Sequence, residues 1–472
     1  MTEYLREILS ERQVSTTEDA RAEHSGDWAT LSEWVTPDPV EPDVVVYPET
    51  TPEVAAVLEA ATERGVPVTP YAAGTSLEGN PVPVHGGISM DLTRMDSVLD
   101  IRPEDFQIDV EPGVMGPAVQ EAAGDHGLFF PPLPSSGDIS TIGGMIANAA
   151  SGMETVKYGE VADWVLELEV VLADGSVITT GSKAPKTSAG YNLRDLFVGS
   201  EGTLGVVTRA TLELAGRPAQ QRGGRAIFST LADATAAVKD VVTAGVDVAK
   251  IELMDTTAAQ MSNAYTGASL PDAPMVFLEF HADHNVDDEI TFCRDVIETH
   301  DPETFETASD DRMADLWEAR TELAYALSEY DPDRQPLHAG DVTVPISEYG
   351  SVIEYAKQRG DEADLPVACF GHAGDGNIHY AVLVDDDDDG EVERGKRVYA
   401  DVVDRAIAVG GTATGEHGVG RGKRRYLVDE HGEATVEAMR AIKRALDPTD
   451  TLNPGKMFPE TADDGRLREP EN

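Results

Sequence analysis

Two histidines seven positions apart, His372 and His379, stand in the stretch GHAGDGNIHY at 371–380. Neutral imidazole nitrogens bind borderline divalent metals such as zinc, manganese or iron, and two of them with a carboxylate make a metal site. On one continuous strand, side chains seven apart point to opposite faces. The residues between them remove that obstacle. Gly374-Asp375-Gly376-Asn377 is a short hairpin signal, because Gly and Asn accept positive φ. Strand-like runs flank it, Val367 to His372 before and Ile378 to Val384 after. Reversing the chain there can bring both imidazoles to one spot. The other reading is a pair of structural histidines beside a tight turn.

The elements that must carry such a hairpin belong to a long chain. At 472 residues, two or three domains are expected. Acidic residues number 87 against 36 Lys plus Arg, a formal charge of −51 spread along the whole length. A surface of that kind suits very high salt, where screening shortens repulsion, and makes nucleic acid and anionic membrane poor partners. Cys293 and Cys369 are the only cysteines and form no CxxC pair, which points to a reducing compartment. The first residues lack an apolar signal core, and no run approaches the ~18 apolar residues of a membrane span. A halophilic, cytoplasmic protein is expected, with peripheral docking to a membrane partner left open.

Residues 1–37 read as a helical, acidic lead-in. Val44 to Pro48 is a short strand, and Thr50 or Thr51 caps a helix running to about Arg64, with Pro52 in its first turn. A strand at 66–69 then delivers the chain to PYAAGTSLEG at 70–79. This small, flexible loop offers backbone N–H groups and the hydroxyls of Thr75 and Ser76, enough to wrap a phosphate; the alternative is an ordinary surface turn. Neither a GxxxxGK[ST] loop nor a GxGxxG after a strand occurs. SSGDISTIGGMIANAASG at 135–152 is small and nearly uncharged, as a loop pressed against something large and buried would be. A third such element lies at 188–214, and Ala173-Asp174-Gly175 joins two strands as a hairpin. Together the three loops could line one long phosphate-containing cofactor.

From about 217 helices (231–245, 286–299, 309–328, 347–360) alternate with strands (225–229, 275–281, 341–345, 367–372, 378–384), predicting an antiparallel sheet. Asp385 to Asp389 reads as a solvated acidic turn, without the spaced ligands of a calcium loop. A glycine-rich turn, TATGEHGVGRGKRRYL, precedes a helix to about Ala445 and then LNPGKMFP. The polar tail is expected to be mobile.

PYAAGTSLEG, IGGMIANAASG, METVKYGEV, SAGYNLRDLFVGSEGTLGVVT, DVTVPIS, GHAGDGNIH, GTATGEHGVGRGK and LNPGKMF occur in that order between about 40 and 458. In this series the chain resembles flavoproteins of the vanillyl-alcohol oxidase type, within them the D-lactate dehydrogenase and glycolate oxidase catalytic-subunit group. The resemblance implies an α+β protein. A two-subdomain FAD-binding domain at 38–216 precedes a substrate domain with an antiparallel sheet at 217–415. A helical segment at 416–460 completes the site, and 461–472 is the tail.

The resemblance further implies FAD held by Tyr71, Ala72, Ala73, Gly74, Thr75, Ser76 and Gly79 at the pyrophosphate. Thr141, Gly143, Gly144, Asn148, Ser151 and Gly152 lie along the other side. Glu201, Gly202, Gly205 and Val207 fall near the ribityl and adenosine portions, and Asn453 approaches from the C-terminal segment. No histidine lies within 70–79, and His85 is expected to be structural, so the FAD is expected to be non-covalent. By the same resemblance His372, His379 and Glu416 bind a divalent metal (zinc, manganese or iron), His417 is the catalytic base and Arg320 clamps the substrate carboxylate. An arginine midway along an acidic helix could instead pair with Glu318 or Glu322. Relatives acting on D-2-hydroxyglutarate carry a lysine where this chain has Ala339 and a hydroxyl where it has Ala324.

The implied activity is oxidation of a small D-2-hydroxy acid, D-lactate first, to the 2-oxo acid. Electrons would pass to a separate quinone, cytochrome or electron-transfer flavoprotein, since no ferredoxin-like cysteine run is present. Alternatives are a glycolate or D-2-hydroxyglutarate dehydrogenase or oxidase and, in another class, a flavin-free metal-dependent hydrolase. A homodimer is left open.

Overall fold

The computed structural model describes residues 2–28, 40–308, 317, 319–331 and 333–459. The expected helix start at 309 and the tail from 460 lie outside the described residues. The chain divides into two compact units. Unit 1 comprises 1–150, 161–215 and 416–472; unit 2 comprises 151–160 and 216–415. Thus 416 onward groups with the first unit, and ten residues at 151–160 group with the second.

In unit 1 the helix Thr51–Arg64 forms as its ends require. The Thr50 side chain accepts from the Glu53 N–H, proline occupies the first turn, and Gly65 stops the helix in the left-handed region. Its apolar face, Val54, Val57, Leu58 and Ala61, is fully buried against a four-stranded sheet. In that sheet Val44–Val46 and Val68–Tyr71 both run parallel to Ile88–Asp91. A second, five-stranded antiparallel sheet is centred on Val206–Glu213, paired with Gln107–Val110 and Val165–Val171. The strand Val165–Val171 pairs in turn with Val177–Gly181 across the expected hairpin. The uncharged stretch at 135–152 is not all loop. Thr141 caps a helix, Ile142–Asn148, by accepting from the Gly144 N–H, and its Ile142, Met145 and Ile146 enter the core of this sheet.

Unit 2 is built on seven strands in the order Thr304–Ala308, Gln220–Ile227, Met275–Ala282, Lys250–Met254, Val367–His372, Asn377–Val384, Gln335–Thr343. Among the described residues their pairings are antiparallel throughout. The helices Leu231–Ala244, Val286–Ile297 and Tyr349–Ala363 match expectation closely. Other elements depart from it, among them the edge strand Thr304–Ala308. The strand Lys250–Met254 and the helix Thr256–Thr266, capped by Asp255, were not anticipated. The acidic run at 385–389 is an exposed turn as expected, and it leads into a 20-residue helix, Asp389–Ala408, that was not anticipated. Asp388 accepts there from the N–H groups of Gly390 and Glu391, and acidic residues favour the positive N-terminal end of a helix.

Candidate functional site

The hairpin at 371–380 forms with a single 3₁₀ turn, Ala373–Asp375, between Val367–His372 and Asn377–Val384. Gly376 leaves this turn at φ 84°, and a Cβ there would lie 2.1 Å from the Val344 carbonyl oxygen, so only glycine closes it. The strands pair Phe370 with His379, which makes His379 the diagonal neighbour of His372 on one face. Their rings meet edge-on with centroids 5.2 Å apart, and both are buried.

The register extends this face over two further strands. Glu252 lies directly opposite His372, and Asp341 lies directly opposite His379. Asn377 and Thr343, opposite each other, continue it. Glu252 is fully buried. One of its oxygens accepts from His372 Nδ1 at 2.7 Å; the other accepts from Arg320 Nε at 2.9 Å, with Nη2 at 2.7 Å. With a carboxylate as partner Nδ1 is the donor, so the lone pair of His372 sits on Nε2. Arg320 therefore pairs with Glu252, from a strand 68 positions away, and neither Glu318 nor Glu322 is needed to explain its burial. Its guanidinium carbon is 5.2 Å from the centre of the Phe370 ring. Nη2 makes no well-directed hydrogen bond among the described residues, so the Nη1/Nη2 edge retains donors for a planar anion.

Asp341 anchors the chain that leads out of unit 2. Its Oδ2 accepts from the Gly415 N–H at 2.7 Å and the Thr414 hydroxyl at 3.0 Å, and its Oδ1 accepts from Asn377 Nδ2 at 2.7 Å. A Cβ on Gly415 would stand 2.2 Å from that Asn377 nitrogen. Glu416 follows by one peptide bond. Ala339, two residues before Asp341 and opposite Ala381, lies on the same face, where it presents only a methyl group.

A second, half-buried polar cluster in unit 2 has a different character. Glu154, Glu279 and His281 have ligand atoms within 4.8 Å of one another. Lys250 already sits among them, 3.3 Å from Glu154 and 3.1 Å from Glu279. His281 reaches Glu279 at 2.7 Å and the Tyr158 hydroxyl at 2.9 Å. A divalent ion would have to displace the ammonium, so this is an ion-pair network. Burial pushes the Glu154 carboxyl up, and His281 and Lys250 hold Glu279 down against its own burial.

In unit 1 the GEHG turn is fastened to the expected cofactor loops. The Glu416 carbonyl accepts from Asn148 Nδ2 at 2.6 Å. Glu201, buried and at φ 52°, accepts from the N–H groups of Val419 and Gly420 and from Asn80 Nδ2. Its carboxylate thus holds the turn that bears Glu416 and His417, although burial pushes its pKa up. His417 Nδ1 is 4.0 Å from Glu78. Asn453 donates to the carbonyls of Asn80 and Glu201, and its oxygen accepts from Lys456 at 3.2 Å. Burial lowers the Lys456 pKa to about 7.

Thr75 meets Ser140 at 2.9 Å, while Ser76 and the Gly79 N–H both donate to Asp27 at 2.8 Å. Tyr71, Ala72, Ala73 and Gly74 continue this loop, and Gly143 and Gly144 lie in the helix capped by Thr141. Gly202 packs against Pro70, and Gly205 and Val207 pack in the core of the five-stranded sheet. Ser151 and Gly152 group instead with unit 2. The amide oxygens of Asn80 and Asn148 are buried without a hydrogen-bond partner among the described residues. Two such orphaned acceptors beside small-residue loops fit a cofactor rich in donors.

Residues 42–181 match the FAD binding domain family, and 217–457 match the family described as FAD linked oxidases, C-terminal domain. The chain is 37% identical to glycolate oxidase subunit GlcD of Bacillus subtilis, covering 90% of each. It is 36% identical to a mitochondrial D-lactate dehydrogenase (cytochrome) of Arabidopsis thaliana, over 89% of this chain and 74% of that one. Among solved structures it is similar to 4-ethylphenol oxidase from Gulosibacter chungangensis, at 20% identity and TM-score 0.77, covering 96% of this chain and 95% of that one. p-Cresol methylhydroxylase gives the same TM-score and the same coverage at 18% identity. At these identities the two structures show a shared fold.

Proposed function

The chain belongs to the FAD-linked oxidases, and on that premise we propose that it is an FAD-linked 2-hydroxy acid dehydrogenase: it oxidises a small D-2-hydroxy acid, D-lactate foremost, to the 2-oxo acid with the help of a divalent metal. The observation that carries the reading is the shared carboxylate in unit 2. Glu252 joins a buried arginine to one of two histidines that meet edge-on, so a carboxylate clamp and a pair of metal-type ligands stand side by side.

The metal ligands in this reading are His372, His379 and Glu416. Two imidazoles and one carboxylate are a donor set for zinc, manganese or iron, and three protein ligands leave room for substrate. Such an ion supplies Lewis acidity that lowers the pKa of the substrate hydroxyl. Residues 70–79, 141–152 and 201–207 with Asn453 would hold FAD, which would supply the hydride acceptor. Arg320 takes the substrate carboxylate on its Nη1/Nη2 edge and fixes which face of carbon 2 is presented. His417 takes the hydroxyl proton, work suited to a neutral imidazole, whose unprotonated ring nitrogen is an acceptor. Asp341 and Glu201 hold the two ends of the turn that carries Glu416 and His417.

The methyl of Ala339 on the site face supports a monocarboxylic substrate, because that side chain offers no group to pair with a second carboxylate. Electrons then leave to a separate quinone, cytochrome or electron-transfer flavoprotein. Cys293 and Cys369 are both buried and lie far apart in sequence, and no described helix is long and apolar enough to cross a membrane.

Anaerobic bleaching of the flavin by D-lactate, L-lactate, glycolate and D-2-hydroxyglutarate tests the reading. D-lactate is expected to bleach it fastest. A protein that purifies without flavin, or whose flavin none of the four reduces, overturns it.

A further inference from the structure

We propose that Glu252 is a positioning residue that couples the metal site to the substrate-carboxylate clamp. The inference deepens the function proposed above and rests on it. Glu252 was silent in the sequence, lies on a strand that was not anticipated, and is 0% exposed. Its two oxygens divide between two functional groups: one accepts from His372 Nδ1, the other from Arg320.

Each half of this bridge has a physical consequence. A carboxylate on Nδ1 fixes the tautomer of His372, aims Nε2 away from the sheet partner and raises the basicity of that nitrogen. Outer carboxylates do this for metal-binding histidines generally, and losing them costs typically ~10–100-fold in metal affinity. The same carboxylate holds the Nε/Nη2 side of Arg320, which leaves the Nη1/Nη2 edge for the substrate carboxylate. Among the described residues, the side-chain hydrogen bond and ion pair of Arg320 are both with Glu252. Without that anchor a buried guanidinium would have to seek another anion, and Asp341, on the same face, is the nearest alternative by register. One carboxylate therefore sets both the ligand geometry and the seat of the substrate carboxylate.

Glu279 gives the control. It is also a carboxylate bonded to a histidine, half-buried on the adjoining strand, but its partners His281 and Lys250 are outside the proposed site.

The experiment uses the full-length, flavin-loaded protein, wild type and Glu252→Gln, with Glu279→Gln as control and Glu252→Asp as a second variant should the amide fail to fold. Bound flavin absorbance reports folding. Zinc affinity is measured by competition with a chromogenic chelator, and KM for D-lactate by steady-state reduction of a dye acceptor at saturating zinc. Glu252→Gln is expected to lose ~10–100-fold in zinc affinity and to raise KM for D-lactate by about tenfold or more, the loss of one hydrogen bond to a charged group. Glu279→Gln is expected to bind zinc as the wild type does. Glu252→Asp, which keeps the charge but shortens the reach, should retain more of one function than of the other.

Zinc affinity and KM both within twofold of wild type in folded Glu252→Gln would overturn the role of Glu252, as would a change in only one of them. A wild type that binds no stoichiometric zinc or manganese overturns the metal site itself, and the coupling with it.

Discussion

Replacing Arg320 by lysine separates the two duties of that side chain. In the structure Nε and Nη2 both face one oxygen of Glu252, at 2.9 and 2.7 Å, and the other edge of the fork remains for substrate. Lysine keeps a positive charge opposite the buried Glu252, so the penalty for an uncompensated buried carboxylate is avoided. A single ammonium cannot serve Glu252 and also grip a carboxylate at two points. The loss is therefore about one hydrogen bond to a charged group, ~1.5–3 kcal/mol. At about 1.4 kcal/mol per decade, kcat/KM for D-lactate should fall roughly 10–100-fold. Steady-state reduction of a dye acceptor measures it, with flavin and metal content assayed on the same sample. Arg320→Met, in contrast, removes one partner of a buried pair and should cost ~3–5 kcal/mol in a urea melt. The reasoning is refuted if Arg320→Lys, with full flavin and metal content, keeps kcat/KM within threefold of the wild type.

His417→Ala should lower turnover of D-lactate at least ~100-fold, the lower bound for a general base, while the protein stays yellow; near-wild-type turnover would remove His417 from the mechanism. In unit 1, Asp109 is 1% exposed and is bonded by Arg102, Lys183, Arg209 and Thr211, which together hold its carboxyl well below the usual range against its burial. Its folded pKa is depressed, so its stabilisation is present above the unfolded value of about 3.9 and is lost as pH falls towards the folded value. Lys183 and Arg209 are 39% and 42% exposed and can rehydrate, so Asp109→Asn should destabilise by the lower end of the buried-pair range, ~3 kcal/mol. Urea melts at pH 7 and pH 3 should show that difference shrinking at the lower pH; equal losses at both would count against the charge network.

Much of the site is legible in the sequence where its geometry is local. Gly374-Asp375-Gly376-Asn377 reverses the chain between His372 and His379 because Gly376 alone can turn there, and a hairpin register then puts the imidazoles on one face. Thr50, Pro52 and Gly65 bound a helix by backbone chemistry that needs no distant partner. The acidic run at 385–389 is the solvated turn its charges suggest, but the helix it leads into was not legible there. Its charges suit both a solvated turn and a helix N-terminus, and only the buried stripe of Val398, Val402, Val403 and Ala406 decides for the helix.

Glu252 had no comparable local signal. In KIELM the apolar Ile251 and Leu253 alternate with Lys250 and Glu252, and the polar positions of such a strand ordinarily face water. Here neighbouring strands pair on both sides, and the partners of Glu252 lie 68 and 120 positions later. No spacing in one chain encodes a cross-strand register set by the packing of a seven-stranded sheet. Residue types and local turns determined which chemistry is available. Tertiary pairing decided which carboxylate holds the histidine and the arginine, because burial makes an unpaired charge costly and register offers each only a few partners.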